Sequence, residues 1–145
     1  MKVTEENILA APCGIACGEC PAYKAKDNPA IMEAMVAKGI PREKLPCPGC
    51  RAGQGDCPVI EGDCATYQCV ESRGVEFCFE CKEFPCTKLC PASDRANILP
   101  HNTKVFNLCY IKEQGLERWL EKASEIQKRY YVGKMVVGQG PQIDN

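Results

Sequence analysis

Cysteine placement constrains this chain more than any other feature. Thirteen of its 145 residues are cysteine, and all but Cys109 fall between Cys13 and Cys90. They read CGIACGEC, CPGC, CPVIEGDCATYQC and CFECKEFPCTKLC. About 9% cysteine is near the density of a disulfide or metal scaffold. The chain also has 12 Gly and 11 Pro, most of them among the cysteines. That stretch is therefore loop-rich and can bury little apolar surface per residue. The expectation is that thiolate-bound ions do folding work that a larger apolar core would otherwise do.

Disulfides and metals are separated by compartment and by count. The opening MKVTEENILAAPCG has early acidic residues and no apolar h-region, so it does not read as a secretion signal. No run of about 18 apolar residues is present to span a membrane. A cytoplasmic chain keeps its thiols reduced, and dense cysteine then reads as metal binding. An odd count would strand one thiol in an all-disulfide scheme. The formal net charge is −1. Each zinc ion held by four thiolates would add −2, giving about −5 with two such sites and about −7 with three. Such a charge argues against a grip on nucleic-acid phosphates.

Along the chain, Thr4 to Ala11 predicts a short helix ended by Pro12. PAYKAK after Cys20 starts another, with Pro21 in the first turn. Asn28 caps a clearer helix with Pro29 at its first position, Ile31/Met35 and Met32/Val36 as apolar pairs, and Gly39 at its end. Val75 to Phe79 (VEFCF) has β character. The glycines of RAGQGDCPVIEGD lack the flanking strand and helix of a phosphate loop. Beyond Asp94 the pattern is helix, turn, helix. Asn102 or Thr103 caps the first helix, Gly115 takes a left-handed position, and Leu116, Trp119, Leu120, Ala123 and Ile126 form a buried stripe. Glu117, Glu121 and Glu125 share a solvated face with few basic partners. One domain is expected over 1–145: a cysteine-rich part at 13–90, a helical part at 94–130, and a mobile tail at 133–145.

A tetrahedral all-cysteine zinc site takes four thiolates, often as two close pairs. The twelve cysteines from Cys13 to Cys90 would make three such sets. The most specific pairing joins the two C-x2-C knuckles, Cys47 and Cys50 with Cys78 and Cys81, as in a zinc ribbon. Cys13, Cys17 and Cys20 would then take Cys86, leaving Cys57, Cys64, Cys69 and Cys90 as a third set. Two or three zinc ions is the resulting expectation. The alternative cofactor is a 4Fe-4S or 2Fe-2S cluster, because Cys78, Cys81, Cys86 and Cys90-Pro91 loosely echo a ferredoxin run, although the x4 gap departs from it. Cys109, on the apolar side of a predicted helix, reads as a buried free thiol.

Catalysis finds little support. His101 is the only histidine, and nothing beside it suggests an orienting carboxylate. A redox-active C-x2-C pair belongs in a thioredoxin-like βαβ setting, which is absent. Phe77, Phe79 and Phe84 could stack on bases, but Glu76, Glu80 and Glu83 interleave them, so they read as packing around the metal.

APCGIACGECPAY, CPGC, FCFECKEFPC and NLCYIKEQGLERWL together resemble the cysteine-rich bacterial and archaeal family "domain of unknown function three-seven-nine-five". The likeness runs from about Ala11 to about Glu121. It implies zinc ligation by Cys13, Cys17, Cys20, Cys47, Cys50, Cys64, Cys69, Cys78, Cys81 and Cys86, and it supplies no activity. Cys57 and Cys90 stand outside the family pattern. The fold expected is a small, irregular, metal-stabilised α+β domain. It would have a zinc-knuckle or ribbon-like centre with short strands, flanking helices and a C-terminal helical pair. The function expected is a non-enzymatic module that binds a protein or a small ligand. An iron–sulfur electron-transfer or redox-sensing protein is the alternative, and a zinc ribbon on nucleic acid is a weaker one.

Overall fold

The computed structural model describes residues 2–60, 62–89, 103–136 and 140–142. Three short helices come first: α1 (Pro21–Lys24), α2 (Pro29–Ala37) and α3 (Ala65–Arg73). Two longer ones follow, α4 (Thr103–Gln114) and α5 (Leu116–Val132). A small antiparallel ribbon of β1 (Lys134–Val136) and β2 (Gly140–Gln142) closes the chain, within the stretch expected to be a tail. The expected cap at Asn102, and also Cys90, Asp94 and His101, lie outside the described residues.

The α+β expectation with a ribbon-like centre is not met. Between Ala10 and Leu89 the described residues hold helices and 3-10 turns, and the one β pairing among them is an isolated bridge from Ala10 to Ala16. The reason is visible at Val75 to Phe79. The amides of Glu76 and Phe77 donate to Glu80 Oε2 at 2.9 and 3.1 Å, and Cys78 N donates to Pro12 O at 3.0 Å. These donors are the ones a strand ladder needs, and the next turn consumes them. Cys78–Glu80 then winds into a 3-10 turn.

At the N-terminus the expected helix shrinks to one 3-10 turn, Glu5–Asn7. Thr4 N donates to Asn7 Oδ1 at 2.8 Å, but Leu9 must extend to accept from Cys17 N at 2.8 Å. The other local signals hold. Pro21 opens α1, and Asn28 Oδ1 caps α2 by accepting from Ala30 N and Ile31 N at 3.1 and 3.3 Å. Gly115 has φ +89 and joins α4 to α5.

The apolar core lies where the helical pair meets the cysteine-rich part. Leu108, Ile111, Leu116, Trp119 and Ala123 come from α4 and α5, and Ala10, Ala16, Phe77 and Leu89 from the other side. Between Cys17 and Cys64 the buried apolar side chains are small or few: Ala22, Ala25, Met35 and Pro58. That segment therefore has little oil of its own. The expected acidic face of α5 is exposed, but it is paired more than expected: Arg118 with Glu121, and Lys122 and Arg129 with Glu125.

α4 rests directly on the first cysteine turn. Buried Asn107 donates from Nδ2 to Gly14 O at 2.6 Å. A Cβ on Gly14, which has φ +88, would lie 2.8 Å from Lys104 O and 3.0 Å from Leu108 Cγ. Backbone and helix touch there because residue 14 has no side chain.

Candidate metal centre

The described cysteines from Cys13 to Cys86 fall into two neighbouring groups. The first is built on the N-terminal turns. Cys17 opens a 3-10 turn, Cys20 precedes α1, and Cys47 N bonds Ala22 O at 2.9 Å, which lays the CPGC knuckle against α1. Within that knuckle Gly49 N donates to Cys47 Sγ, and Cys50 N donates across to Cys17 Sγ, both at 3.4 Å. The Val59 amide similarly serves Cys57. Amides aimed at sulfur favour the thiolate over the thiol.

Electrostatics maps the same grouping. Burial pushes the Cys17 thiol up to about 12, and the thiols of Cys13, Cys20 and Cys47 add to this against the Cys50 amide. Cys50 is pushed up by burial and then by Cys13, Cys17, Cys64 and Cys57. Cys47 and Cys57 are raised by burial first, with Cys20 a neighbour of both.

The second group surrounds a small cavity of about 20 Å³ lined by Cys69, Cys78, Cys81, Cys86, Arg73 and Phe84 among others. α3 supplies Cys69 and Arg73 from one face, since residues four apart are neighbours on a helix. Thr66 on the same face bonds Lys88 O at 3.1 Å and so holds the segment after Cys86 in place. Cys78 is pushed up to about 12 by burial and then by Cys13, Cys86, Cys69 and Cys81. Cys13 thus neighbours both groups. Arg73 Nη1 donates to Cys81 Sγ at 3.2 Å and Nη2 to Glu83 Oε2 at 2.9 Å. It also hydrogen-bonds the Cys69 thiol. The Glu83 amide reaches Cys81 Sγ at 3.5 Å.

Arg51, next to Cys50, ties the parts together. Its guanidinium donates to Ala10 O and Glu76 O, each at 2.8 Å, and to Glu76 Oε2 at 2.9 Å, and lies 4.9 Å from the Phe77 ring centre. One side chain therefore links the segments before Cys13, after Cys50 and before Cys78.

No disulfide joins the described cysteines. Among the described residues no group of three or more His, Cys, Asp or Glu side chains is placed to hold a metal ion. Protonated thiols have no mutual attraction to draw them onto one point, so the groups are clusters of donors and not closed shells. Thiolate sulfur is a ligand type that zinc accepts, and amides and a guanidinium point at several of these sulfurs.

The grouping departs from the expected sets. Cys47 and Cys50 lie with Cys17, Cys20, Cys57 and Cys64, whereas Cys78 and Cys81 lie with Cys69 and Cys86. The expected ribbon pairing of the two knuckles is therefore not formed. Helix α3 is the cause. It places Cys64 at its start and Cys69 more than a turn along, so the two are aimed at different groups. The helix was legible only in Gly74 behind Arg73, a left-handed end at φ +63. Arg51 and Arg73 gave no signal by spacing to the knuckles. Cys109, expected to be buried, lies on α4 and is only half-buried.

The fold is that of a small helical, cysteine-rich domain. Residues 9–91 match the family described as a protein of unknown function, DUF3795, and the chain belongs to that family. No curated relative and no solved structure matches it. Among the described residues no helix is long and apolar enough to cross a membrane.

Proposed function

We propose that this chain is a thiolate metal-binding protein whose zinc ions are structural, serving in the cytoplasm as a non-enzymatic module that binds a protein or a small ligand. The supporting observation is the collection of the cysteines from Cys13 to Cys86 into two adjoining groups, without disulfides and with backbone amides directed at Cys17, Cys47, Cys57 and Cys81. Two or three ions are expected, held by Cys13, Cys17, Cys20, Cys47, Cys50, Cys57, Cys64, Cys69, Cys78, Cys81 and Cys86, with Cys90 added as in the sequence reading. Each ion held by four thiolates would leave its site at a net −2, so the partner surface is neutral or basic. Elemental analysis and a visible spectrum of anaerobically purified protein test the reading. Colourless protein carrying zinc supports it, and brown protein carrying iron and sulfide overturns it.

A further inference from the structure

We propose that Cys69 and Cys81 form a peroxide-responsive thiol pair, which a hydroperoxide closes into a disulfide, and that Arg73 is its positioning residue. The inference goes beyond the metal reading and does not rest on it, because two thiols and one cation suffice. Both sulfurs bond the same guanidinium. Arg73 Nη1 donates to Cys81 Sγ at 3.2 Å, and Arg73 also bonds the Cys69 thiol. Both thiols line the small cavity beside α3, both are half-buried, and neither is in a disulfide. The guanidinium is held from outside the pair. Its other arm bonds Glu83 Oε2 at 2.9 Å, and Arg73 sits four residues after Cys69 on one face of α3.

Cys81 is the thiol that reacts first. It faces a guanidinium and, at 3.5 Å, the Glu83 amide, while solvent still reaches it. Reactive cysteines are found at such partly exposed sulfurs beside Lys or Arg. Cys78, by contrast, packs against the apolar core. The Cys81 sulfur attacks one oxygen of the peroxide. An S–O bond forms, the O–O bond breaks, and water leaves with the thiol proton, so the sulfur gives up two electrons. The Cys69 sulfur then attacks the Cys81 sulfur. The S–S bond forms, the S–O bond breaks, and hydroxide takes the Cys69 proton as a second water. In total two thiols and one hydrogen peroxide become one disulfide and two waters. The product ties α3 covalently to the segment that follows the Cys78–Glu80 turn.

The test exposes the full reduced chain to hydrogen peroxide for increasing times. Free thiols are then alkylated, and peptides are mapped by mass spectrometry without reduction. A Cys69–Cys81 disulfide should appear first, well before Cys109, which is half-buried on another helix, is consumed. In Cys69→Ser the Cys81 sulfur should stop at the sulfenic acid and be trapped by dimedone. In Arg73→Gln the loss of Cys81 should slow about tenfold, the worth of one charge-assisted hydrogen bond, and Arg73→Lys should recover part of the rate. Pairing of Cys81 with Cys78 or Cys86, or consumption of Cys81 no faster than Cys109, overturns the proposal. An unchanged rate in Arg73→Gln refutes the role of Arg73. The zinc content of the same protein before oxidation bears on the metal reading alone, so the two can fail separately.

Discussion

Replacing Gly14 with alanine should separate the helical pair from the first cysteine turn. Two costs add there. A side chain at φ +88 brings backbone strain of about 1–2 kcal/mol. The new Cβ would also meet Lys104 O at 2.8 Å, Leu108 Cγ at 3.0 Å and Asn107 Cβ at 3.3 Å. The first of these is helix backbone, which cannot rotate away, so overpacking adds about 1–3 kcal/mol. The sum is about 2–5 kcal/mol. Gly39 is the control: it has φ +90 but nothing within 4 Å of its added Cβ. Gly39→Ala should therefore show the strain alone. Urea denaturation of the zinc-loaded chain, followed by fluorescence of fully buried Trp119, measures both. If Gly14→Ala lowers stability no more than Gly39→Ala, α4 does not press on that turn and the account of the junction fails.

Three other outcomes are expected. Arg51→Lys loses the fork that serves two carbonyls and a carboxylate, and should cost about 2–4 kcal/mol in the same urea assay. Cys109→Ser should leave the zinc count by native mass spectrometry unchanged, whereas Cys47→Ser or Cys78→Ser should lower it and loosen the central segment, structural zinc supplying on the order of 10–16 kcal/mol in small fingers. The chelated chain should lose stability as pH rises from 9.0 towards about 12, because Cys78, which packs on the apolar core outside residues 13–64, keeps its proton when folded and releases it near 9.0 when unfolded. The native state then binds more protons, and the slope of stability with pH is negative in that window, flat below it. Urea midpoints across the range check the sign.

Local signals were legible where one residue decides one turn. Asn28 and Pro29 marked α2, Gly115 marked the joint of α4 and α5, and Trp119 with Leu116 and Ala123 marked the buried stripe. Partnering was not legible. VEFCF reads as a strand until Glu80 turns back onto the amides of Glu76 and Phe77, a contact that spacing alone does not announce. Which cysteine meets which depended on α3, whose Thr66, Cys69 and Arg73 face one group while Cys64 faces the other. Long-range links such as Arg51 to Glu76 and Asn107 to Gly14 bring together residues 25 and 93 apart in the chain, beyond the reach of any local pattern.

The most direct check is native mass spectrometry of the protein purified under reducing conditions without added metal. The chain should carry the mass of two or three zinc ions, less two protons for each, and lose it to a strong chelator together with the ordered packing of residues 13–64. A bare chain that keeps its shape, or a mass short by the hydrogens of S–S bonds, contradicts the claim that sulfur-held ions organise this domain.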